Sequence, residues 1–351
     1  PPSAAAAMTG LDLEHHGLRW VDQGNPEATV TAPTLAGAFS EAGYRTALFS
    51  GSTWMSTITG LDAGFDRADL SPELYAKSNL GTLGEDALNW LDRGEGPFLM
   101  VLHPMDPHDP YSPEEQDRGV YANNLPFDLD NQDQKDQVDA LLETADEAER
   151  AALMQNLRDV YDEQLVGLGR SLEQLLGGLE DRGLLDHTLV VFTADHGESF
   201  DEGGEIRHGA SLRQEQLIIP LMFLHPEVPA GDLSCLSNNL DLLPTLLDLF
   251  DLPPLAITDG RSLQQDCRRS SIATLYYPGG LWWVANRSAE GRVAVECRTS
   301  NLLAYNLVDD PLALQSVELS SLNDGAQLIG ELGAHVDALI AADPSLSCRM
   351  P

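Results

Sequence analysis

Two adjacent residues with metal-binding side chains, Asp195 and His196, follow closely on an apolar run at 188–193. A carboxylate and an imidazole at neighbouring positions can bind one divalent cation when the backbone turns sharply, and Gly197 permits such a turn. The alternative for the pair is a helix cap beside a solvated histidine. The run itself, TLVVFT, is typical of a parallel strand buried on both faces. Polar residues at the carboxyl end of such a strand are candidates for ligand contact.

Three further histidines are candidates for chemistry. His108 lies in HPMDPHDPYSP, where prolines stiffen an irregular segment just after the apolar run 98–102. With an unperturbed pKa of about 6.5, a histidine can protonate a leaving oxygen at neutral pH, which typically contributes about 10²- to 10⁴-fold to a rate. His103 is assigned to substrate binding, with a structural role as the alternative. His208, beyond an acidic and glycine-rich loop, could bind substrate oxygens or a metal. Ordinary loop positions are the alternative for His108 and His208.

The surrounding chain alternates helical and strand-like segments. Thr34 can cap a helix that Gly43 ends in the left-handed conformation, and a strand follows at 45–50. The other predicted elements are helix 82–93, strand 98–102, a surface excursion over 119–149, helix 153–179, strand 188–193, strand 217–224 and helix 241–250. This alternation predicts an α/β fold over residues 1–255, with a doubly wound, mostly parallel sheet flanked by helices.

The pattern changes after residue 255. Short β-rich runs, SIATLYY, GLWWVANR, RVAVECR and LLAYNLV, are separated by Gly, Asn and charged turns, and one helix follows at 324–342. They predict a small antiparallel β plus helix subdomain over residues 256–351. Trp282 and Trp283 within it are predicted to be packing residues rather than substrate platforms.

The charge balance restricts the possible partners. Against 56 acidic residues stand 20 basic ones, which gives a formal net charge of -36. Nucleic-acid binding is excluded because a duplex demands a basic face. The acidity fits either a generic solvated surface or adaptation to high salt, where repulsion among carboxylates is screened. An anionic substrate needs a bound cation or local positive groups in such a field, and the charge therefore favours a metal.

Two further features bear on the setting of the protein. No apolar stretch approaches the roughly 20 residues that span a bilayer, so no transmembrane segment is predicted. Its four cysteines, Cys235, Cys267, Cys297 and Cys348, include no CxxC pair. Two disulfides in an exported protein and four buried thiols are equally compatible with their spacing, so the compartment stays open.

Taken in order, six blocks of sequence resemble the sulfatase family of the alkaline-phosphatase superfamily. The most specific is VVFTADHGESFDEGGEIRHGASLRQEQLIIPLMF. The others are Pro2-Ser3 with Thr9-Gly10 and HHG at 15–17, APTLAGAFSEAGYRTALFS with GLDAGFD, HPMDPHDPY, NNLDLLPTLLDLFDLPPL with DGRSL, and LAYNLVDDPLALQSVEL. The resemblance spans nearly the whole chain and implies the alkaline-phosphatase-like fold.

The resemblance also implies roles. Asp195 and His196 are expected to bind one divalent metal, Ca²⁺ or Mn²⁺, while His108 serves as general acid and His208 contacts the transferred group of a small anionic ester. The expected reaction is sulfate ester hydrolysis through a covalent intermediate. A phosphodiester or phosphonate monoester hydrolase and a non-catalytic sulfatase-like binding protein are the alternatives.

Two departures from the family pattern affect these expectations. By the register of Pro2-Ser3, the family nucleophile and the strand with further acidic metal ligands precede Pro1, so the chain is expected to be truncated and inactive alone. Ala4 stands where formylglycine sulfatases usually have Arg. That substitution favours a Ser or Thr nucleophile, or a phospho- or phosphonoester hydrolase.

Overall fold

The computed structural model describes residues 2–21, 25–26, 28–70, 79–129, 133–233, 235–265, 268–277 and 280–351. Helices and strands of the first part are α1 (Pro2–Thr9), α2 (Leu13–His16), β1 (Trp20–Val21), β2 (Asn25–Pro26), α3 (Leu35–Glu41), β3 (Arg45–Ser50), β4 (Arg67–Leu70), α4 (Leu80–Leu91) and β5 (Phe98–His103). The middle part contains α5 (Gln134–Thr144), α6 (Glu147–Asp181), β6 (Val190–Thr193), β7 (Ser199–Phe200), β8 (Ile206–Arg207), α7 (Gln214–Leu217), β9 (Leu221–Leu224) and α8 (Leu242–Leu249). The last part contains β10 (Ser271–Tyr277), β11 (Gly280–Arg287), β12 (Gly291–Glu296), β13 (Asn301–Asn306) and α9 (Gly325–Ala342). Among the described helices, none combines the length and apolarity needed to cross a membrane.

The predicted α/β fold is confirmed, and local sequence explains the helix ends. Thr34 caps α3 by accepting a hydrogen bond from the backbone N–H of Gly37 at 3.1 Å, and Gly43 follows the helix with φ of +87°. Helix α6 begins earlier than predicted, because Asp146 and Glu149 form a capping box before its first turn.

Two predicted segments differ from the structure. Residues 214–217 form the helical turn α7 rather than the start of a strand, and β9 begins only at Leu221, since Pro220 has no N–H to donate to a ladder. The excursion 119–149 is not wholly superficial. Phe127 and Val138 are buried in one apolar cluster with Leu157 of α6, although residues 130–132 lie outside the described part of the chain.

The main sheet consists of two separate ladders. Strands β4, β3 and β5 are parallel in that order, and β6 pairs antiparallel with β9. Within the described residues, β5 has no strand partner on the edge opposite β3, and β6 has none on the edge opposite β9. The strand β6, predicted to be buried on both faces, is only half-buried, as is β5, whereas Ala47 to Ser50 of β3 are buried.

Strands β5 and β6 nevertheless belong to one layer of the fold. On one face Leu99 of β5 and Val191 of β6 pack on the same apolar cluster of α1, α3 and α8. On the opposite face Met100 and Val190 pack on the cluster of α4 and Leu179. Between the two strands lies a cleft of about 2800 Å³ that consecutive residues of both strands line. The two unpaired strand edges therefore face each other across this cleft.

The C-terminal part has its own core, as predicted. Its antiparallel sheet has the order β10-β11-β12-β13, and one face packs on α9 through Val284, Val293, Leu332 and other apolar side chains. Trp283 packs against Ala285 and Ala294 on the opposite face, which bears out a packing position. Cys297 and Cys348 form a disulfide with a Cα–Cα distance of 4.3 Å. Cys235 is also disulfide-bonded, so free thiols are wrong for these three residues, and Cys267 lies outside the described residues.

The disulfide should stabilise the C-terminal subdomain. The double variant Cys297→Ala/Cys348→Ala is expected to lose about 4 kcal/mol of unfolding free energy, because the bond closes a loop with a sequence separation of 51. Urea unfolding followed by tryptophan fluorescence measures the loss. An unchanged unfolding midpoint in the double variant would contradict the prediction.

Candidate functional site

All five site residues predicted from the sequence line the cleft between β5 and β6. His103 is the last residue of β5, and His108 lies in the irregular segment that follows. Asp195 and His196 follow β6, and His208 comes directly after β8. The convergence follows from topology, since β5 and β6 end at the same side of the layer and their connections open there.

Three imidazole rings form a row at this side of the cleft. The rings of His196 and His208 are stacked with centroids 3.9 Å apart and an interplanar angle of 28°. His108 meets His208 edge-on at 5.0 Å and lies 6.5 Å from His196. His208 is thus the central ring of the three.

Asp195 and His196 provide two donors suited to a divalent cation. The Asp195 Oδ1 and His196 Nε2 atoms are 3.7 Å apart, and His196 Nδ1 donates to the carbonyl oxygen of Gly197 at 2.9 Å. Burial lowers the pKa of His196, which favours the neutral ring with its Nε2 lone pair available. Burial opposes ionisation of Asp195, but the electrostatic interaction of its carboxylate with the surrounding imidazoles, that of His196 foremost, outweighs burial and lowers the pKa of Asp195 to about 2.

Asp195 and His196 by themselves do not complete a metal site. Ca²⁺ takes six or more oxygen ligands and other divalent ions at least about four donors. Within the described ranges, no group of three or more His, Cys, Asp and Glu side chains could hold a metal ion. The donor chemistry of Asp195 and His196 fits a divalent cation, and the remaining ligands have to come from elsewhere.

The backbone around Gly197 holds the pair in place. Its N–H donates to the carbonyl oxygen of Gln216 at 2.8 Å, and a Cβ at Gly197 would lie 2.1 Å from the carbonyl oxygen of Glu215. From the other side, Asn239 Nδ2 donates to the carbonyl oxygen of Asp195 at 3.3 Å. Only glycine permits this approach of the loop to α7, so Gly197 determines where Asp195 and His196 lie.

Glu198 is a functional residue that sequence reasoning missed. Its Oε1 lies 3.0 Å from Nδ1 of His208, and its Oε2 accepts a hydrogen bond from the hydroxyl of Tyr111 at 3.1 Å. Burial acts to lower the pKa of His208, but the hydrogen bond and the charge of Glu198 outweigh burial and raise the pKa. The central ring is therefore biased toward imidazolium, which suits contact with an anion. The available signal was its place in the sequence, three residues after Asp195.

His108 is oriented by its neighbour Asp109. The Nδ1 atom of His108 lies 2.5 Å from the Asp109 carbonyl oxygen and 3.2 Å from its Oδ1. Both are acceptors, so Nδ1 carries a proton and Nε2 is the atom that can exchange one. The second carboxylate oxygen of Asp109 pairs with Arg207 Nε at 3.3 Å. Asp109 thus ties His108 to the segment that carries His208.

His103 is fixed at the end of β5. Its Nδ1 lies 3.1 Å from the hydroxyl oxygen of Ser50, which stands opposite it in the parallel ladder. Burial lowers the pKa of His103 and favours the neutral ring. Its assignment to substrate binding stays a prediction.

Comparison with solved structures defines the class of fold. BT4656, solved in complex with its substrate D-glucosamine-2-N,6-O-disulfate, matches with a TM-score of 0.78 at 16% identity over 98% of this chain and 89% of its own. The phosphonate monoester hydrolase of Agrobacterium radiobacter matches with a TM-score of 0.73 at 17% identity over 99% of this chain and 86% of its own. The protein has the alkaline-phosphatase-like α/β fold.

Sequence comparison gives the family. The model of the Sulfatase family matches residues 1–252, and the chain belongs to this family, which confirms the resemblance found from the motifs. The low-salt glycan biosynthesis sulfotransferase Agl7 of Haloferax volcanii is 30% identical over 260 residues, covering 65% of this chain and 57% of that protein. The uncharacterized sulfatase YidJ of Escherichia coli is 22% identical over 310 residues, covering 75% and 60%. The chain thus spans less than two thirds of the length of either relative.

The close approach at Gly197 can be tested with a matched pair of glycine variants. Gly197→Ala is expected to lower the unfolding free energy by about 3 kcal/mol, because the added methyl group meets the backbone of α7. In the control Gly169→Ala, within α6, the methyl group meets nothing within 4 Å, and stability should rise by up to about 1 kcal/mol. Urea unfolding measures both changes, and equal effects of the two substitutions would refute the assigned role of Gly197.

Proposed function

We propose that the full-length protein hydrolyses sulfate esters at the row of histidines beside Asp195. The observation that carries the proposal is the convergence of Asp195, His196, His108 and His208 at one end of the cleft in a member of the sulfatase family. Asp195 beside the neutral ring of His196 is a donor pair for a cation. His208 can bind an anion, and His108, oriented by Asp109, can move a proton.

The residues of this chain take distinct roles in the proposal. His208, held by Glu198, contacts the oxygens of the transferred sulfate group, where a positive charge opposes the negative charge that develops. His108 Nε2 gives its proton to the departing alcohol oxygen as the bond to sulfur breaks. His103 contacts the substrate from the end of β5.

Asp195 and His196 are proposed to hold one divalent cation together with ligands from outside the described residues. When bound, such a cation withdraws negative charge from the ester and lowers the pKa of an oxygen nucleophile. Ca²⁺ and Mn²⁺ are both compatible with an oxygen-and-nitrogen donor set.

The nucleophile is proposed to precede Pro1. Pro2 and Ser3, at the amino end of α1, line the cleft together with β5 and β6. A segment that runs between the two unpaired strand edges toward α1 would end beside Asp195 and His103. In the proposal this segment supplies the nucleophile, through which the reaction passes as a covalent intermediate, and completes the metal ligands.

A second candidate is hydrolysis of phosphodiesters or phosphonate monoesters. The observation that favours it is Ala4, which replaces the Arg typical of sulfatases that use formylglycine. The cleft geometry serves both reactions, because sulfate and phosphonate groups share tetrahedral oxygens and negative charge.

Assays of two chains test the proposal. Residues 1–351 alone are expected to lack turnover, whereas a chain extended upstream should hydrolyse an aryl sulfate faster than an aryl phosphonate monoester. The release of nitrophenol from both esters measures the two rates. Faster phosphonate hydrolysis would favour the second candidate, and turnover by residues 1–351 would overturn the assigned position of the nucleophile.

Substitutions at the site should separate chemistry from folding. In the extended chain, His108→Ala is expected to lower kcat by about 10²- to 10⁴-fold, since a general acid contributes that much, and Asp195→Ala at least as much. The matched controls are His187→Ala and Asp186→Ala, which lie in the 3₁₀ turn at the opposite end of β6. Rates near those of the controls, at unchanged melting temperature, would show that His108 and Asp195 are not catalytic.

A further inference from the structure

The C-terminal sheet meets the main domain next to His208. One face of the sheet packs on α9, and the other packs through Ala285, Ala294 and Trp283 against Leu212 and Leu217. Leu212 precedes α7 and Leu217 is its last residue, and α7 approaches Gly197 through the carbonyl oxygen of Glu215. The second face of the subdomain is thus close to the segment that positions the site.

Two arginines stand directly opposite each other on this sheet. Arg287 ends β11 and pairs in register with Arg292 of β12. By the alternation of side chains along a strand, both lie on the face of Ala285 and Ala294, which is the face toward the main domain. Like charges opposite each other in an antiparallel pair are destabilising. Such a pair calls for a compensating anion.

Neither guanidinium is fully satisfied within the described residues. Arg292 is 3% exposed and donates from Nη2 to the carbonyl oxygen of Leu212, yet its Nε is buried without a hydrogen-bond partner among them. The Nε atom of Arg287 is likewise buried without a hydrogen-bond partner among the described residues. Burial lowers the pKa of Arg292 to about 10 and lowers the pKa of Arg287 as well, so both charges bear a desolvation cost.

Glu215 is the carboxylate next to two of these arginines, Arg213 and Arg292. Arg213 Nε pairs with Glu215 Oε1 at 2.9 Å, and that oxygen also accepts from the hydroxyl of Ser199 at 3.2 Å. The charges of Arg213 and Arg287 both disfavour the charged form of Arg292, whereas Tyr305 and Glu215 favour it. This group, the arginine cluster, consists of Arg213, Arg287 and Arg292 and carries excess positive charge in a chain of formal charge -36.

The arginine cluster opens into the cleft of the proposed reaction. Arg287 is the only arginine among the described residues that line it. Two consecutive asparagines connect the loop of Asp195 with strand β10. Asn239 donates to the Asp195 carbonyl oxygen, and Asn238 donates to the hydroxyl of Ser271 at 2.9 Å. Ser271 stands opposite Arg287 in the β10–β11 ladder. Arg287 and the histidine row thus line one cleft and are connected through these two asparagines.

We propose that Arg287, backed by Arg292 and Arg213, binds a second anionic group of the substrate. The substrate class is then a polyanionic ester, such as a sugar with a further sulfate or carboxylate besides the ester group that reacts. Guanidinium binds both groups through paired N–H donors, and a charge-assisted contact in a partly desolvated place is strong. The inference rests on the proposed function for the reaction, whereas the binding of the second anion is independent of turnover.

Binding measurements on residues 1–351 test the inference without catalysis. Isothermal titration at constant ionic strength compares a disaccharide with two sulfate groups, the same disaccharide with one, and one in which a carboxylate replaces the second sulfate. Arg287→Gln is expected to weaken binding of both dianionic sugars by about 10-fold or more and to leave the monosulfated sugar within about twofold. Arg287→Lys should retain part of the preference, since it keeps the charge and loses the paired donors.

Arg269→Gln is the matched control, because it removes the same charge from an exposed arginine that does not line the cleft. Equal affinities of the Arg287→Gln and Arg269→Gln variants for the dianionic sugars would overturn the inference, and so would equal weakening of all three sugars by Arg287→Gln. A difference between the two dianionic sugars identifies which anion the cluster takes. In the extended chain, absence of any sulfate ester turnover would refute the proposed function alone. A changed KM of the Arg287→Gln variant for a disulfated substrate, at unchanged kcat, supports the inference.

Discussion

The approach of Gly197 to α7 is the contact on which the rest of the site depends. Its N–H reaches the carbonyl of Gln216 while its missing side chain leaves room for the carbonyl of Glu215. The turn that results places Asp195 and His196 at the mouth of the cleft. On the other side of the same contact, α7 carries Glu215, which pairs with Arg213 of the arginine cluster. One backbone contact thus couples the donor pair at the strand end to the face of the C-terminal subdomain.

The cleft brings cationic groups close to carboxylates in a chain of net charge -36. His208, biased toward its cationic form by Glu198, and the partly buried Arg287 line it together with Asp195, Glu198 and Glu215. Low local dielectric strengthens each of these charges toward a ligand.

The main sheet is divided between β5 and β6. Strands β5 and β6 pack on the same two helical layers but share no ladder, and the cleft between them exposes strand edges that are normally paired in a protein interior. Within the described residues, apolar contacts with these helices connect β5 and β6. The catalytic candidates gather at the carboxyl end of the gap, so a strand placed there would bring its own terminal residues directly to Asp195 and His103.

The sequence by itself determined the α/β class, the capped helix at Thr34, the strand carrying Asp195 and the membership of the sulfatase family, because caps, periodicity and motifs are local and survive without knowledge of partners. It did not determine the start of β9, where Pro220 and the bonds of α7 override an apolar run, nor the disulfide between Cys297 and Cys348. Glu198, Asn239 and the facing pair Arg287 and Arg292 became visible only in the tertiary structure. Their significance lies in contacts between segments far apart along the chain, and no local pattern encodes such contacts.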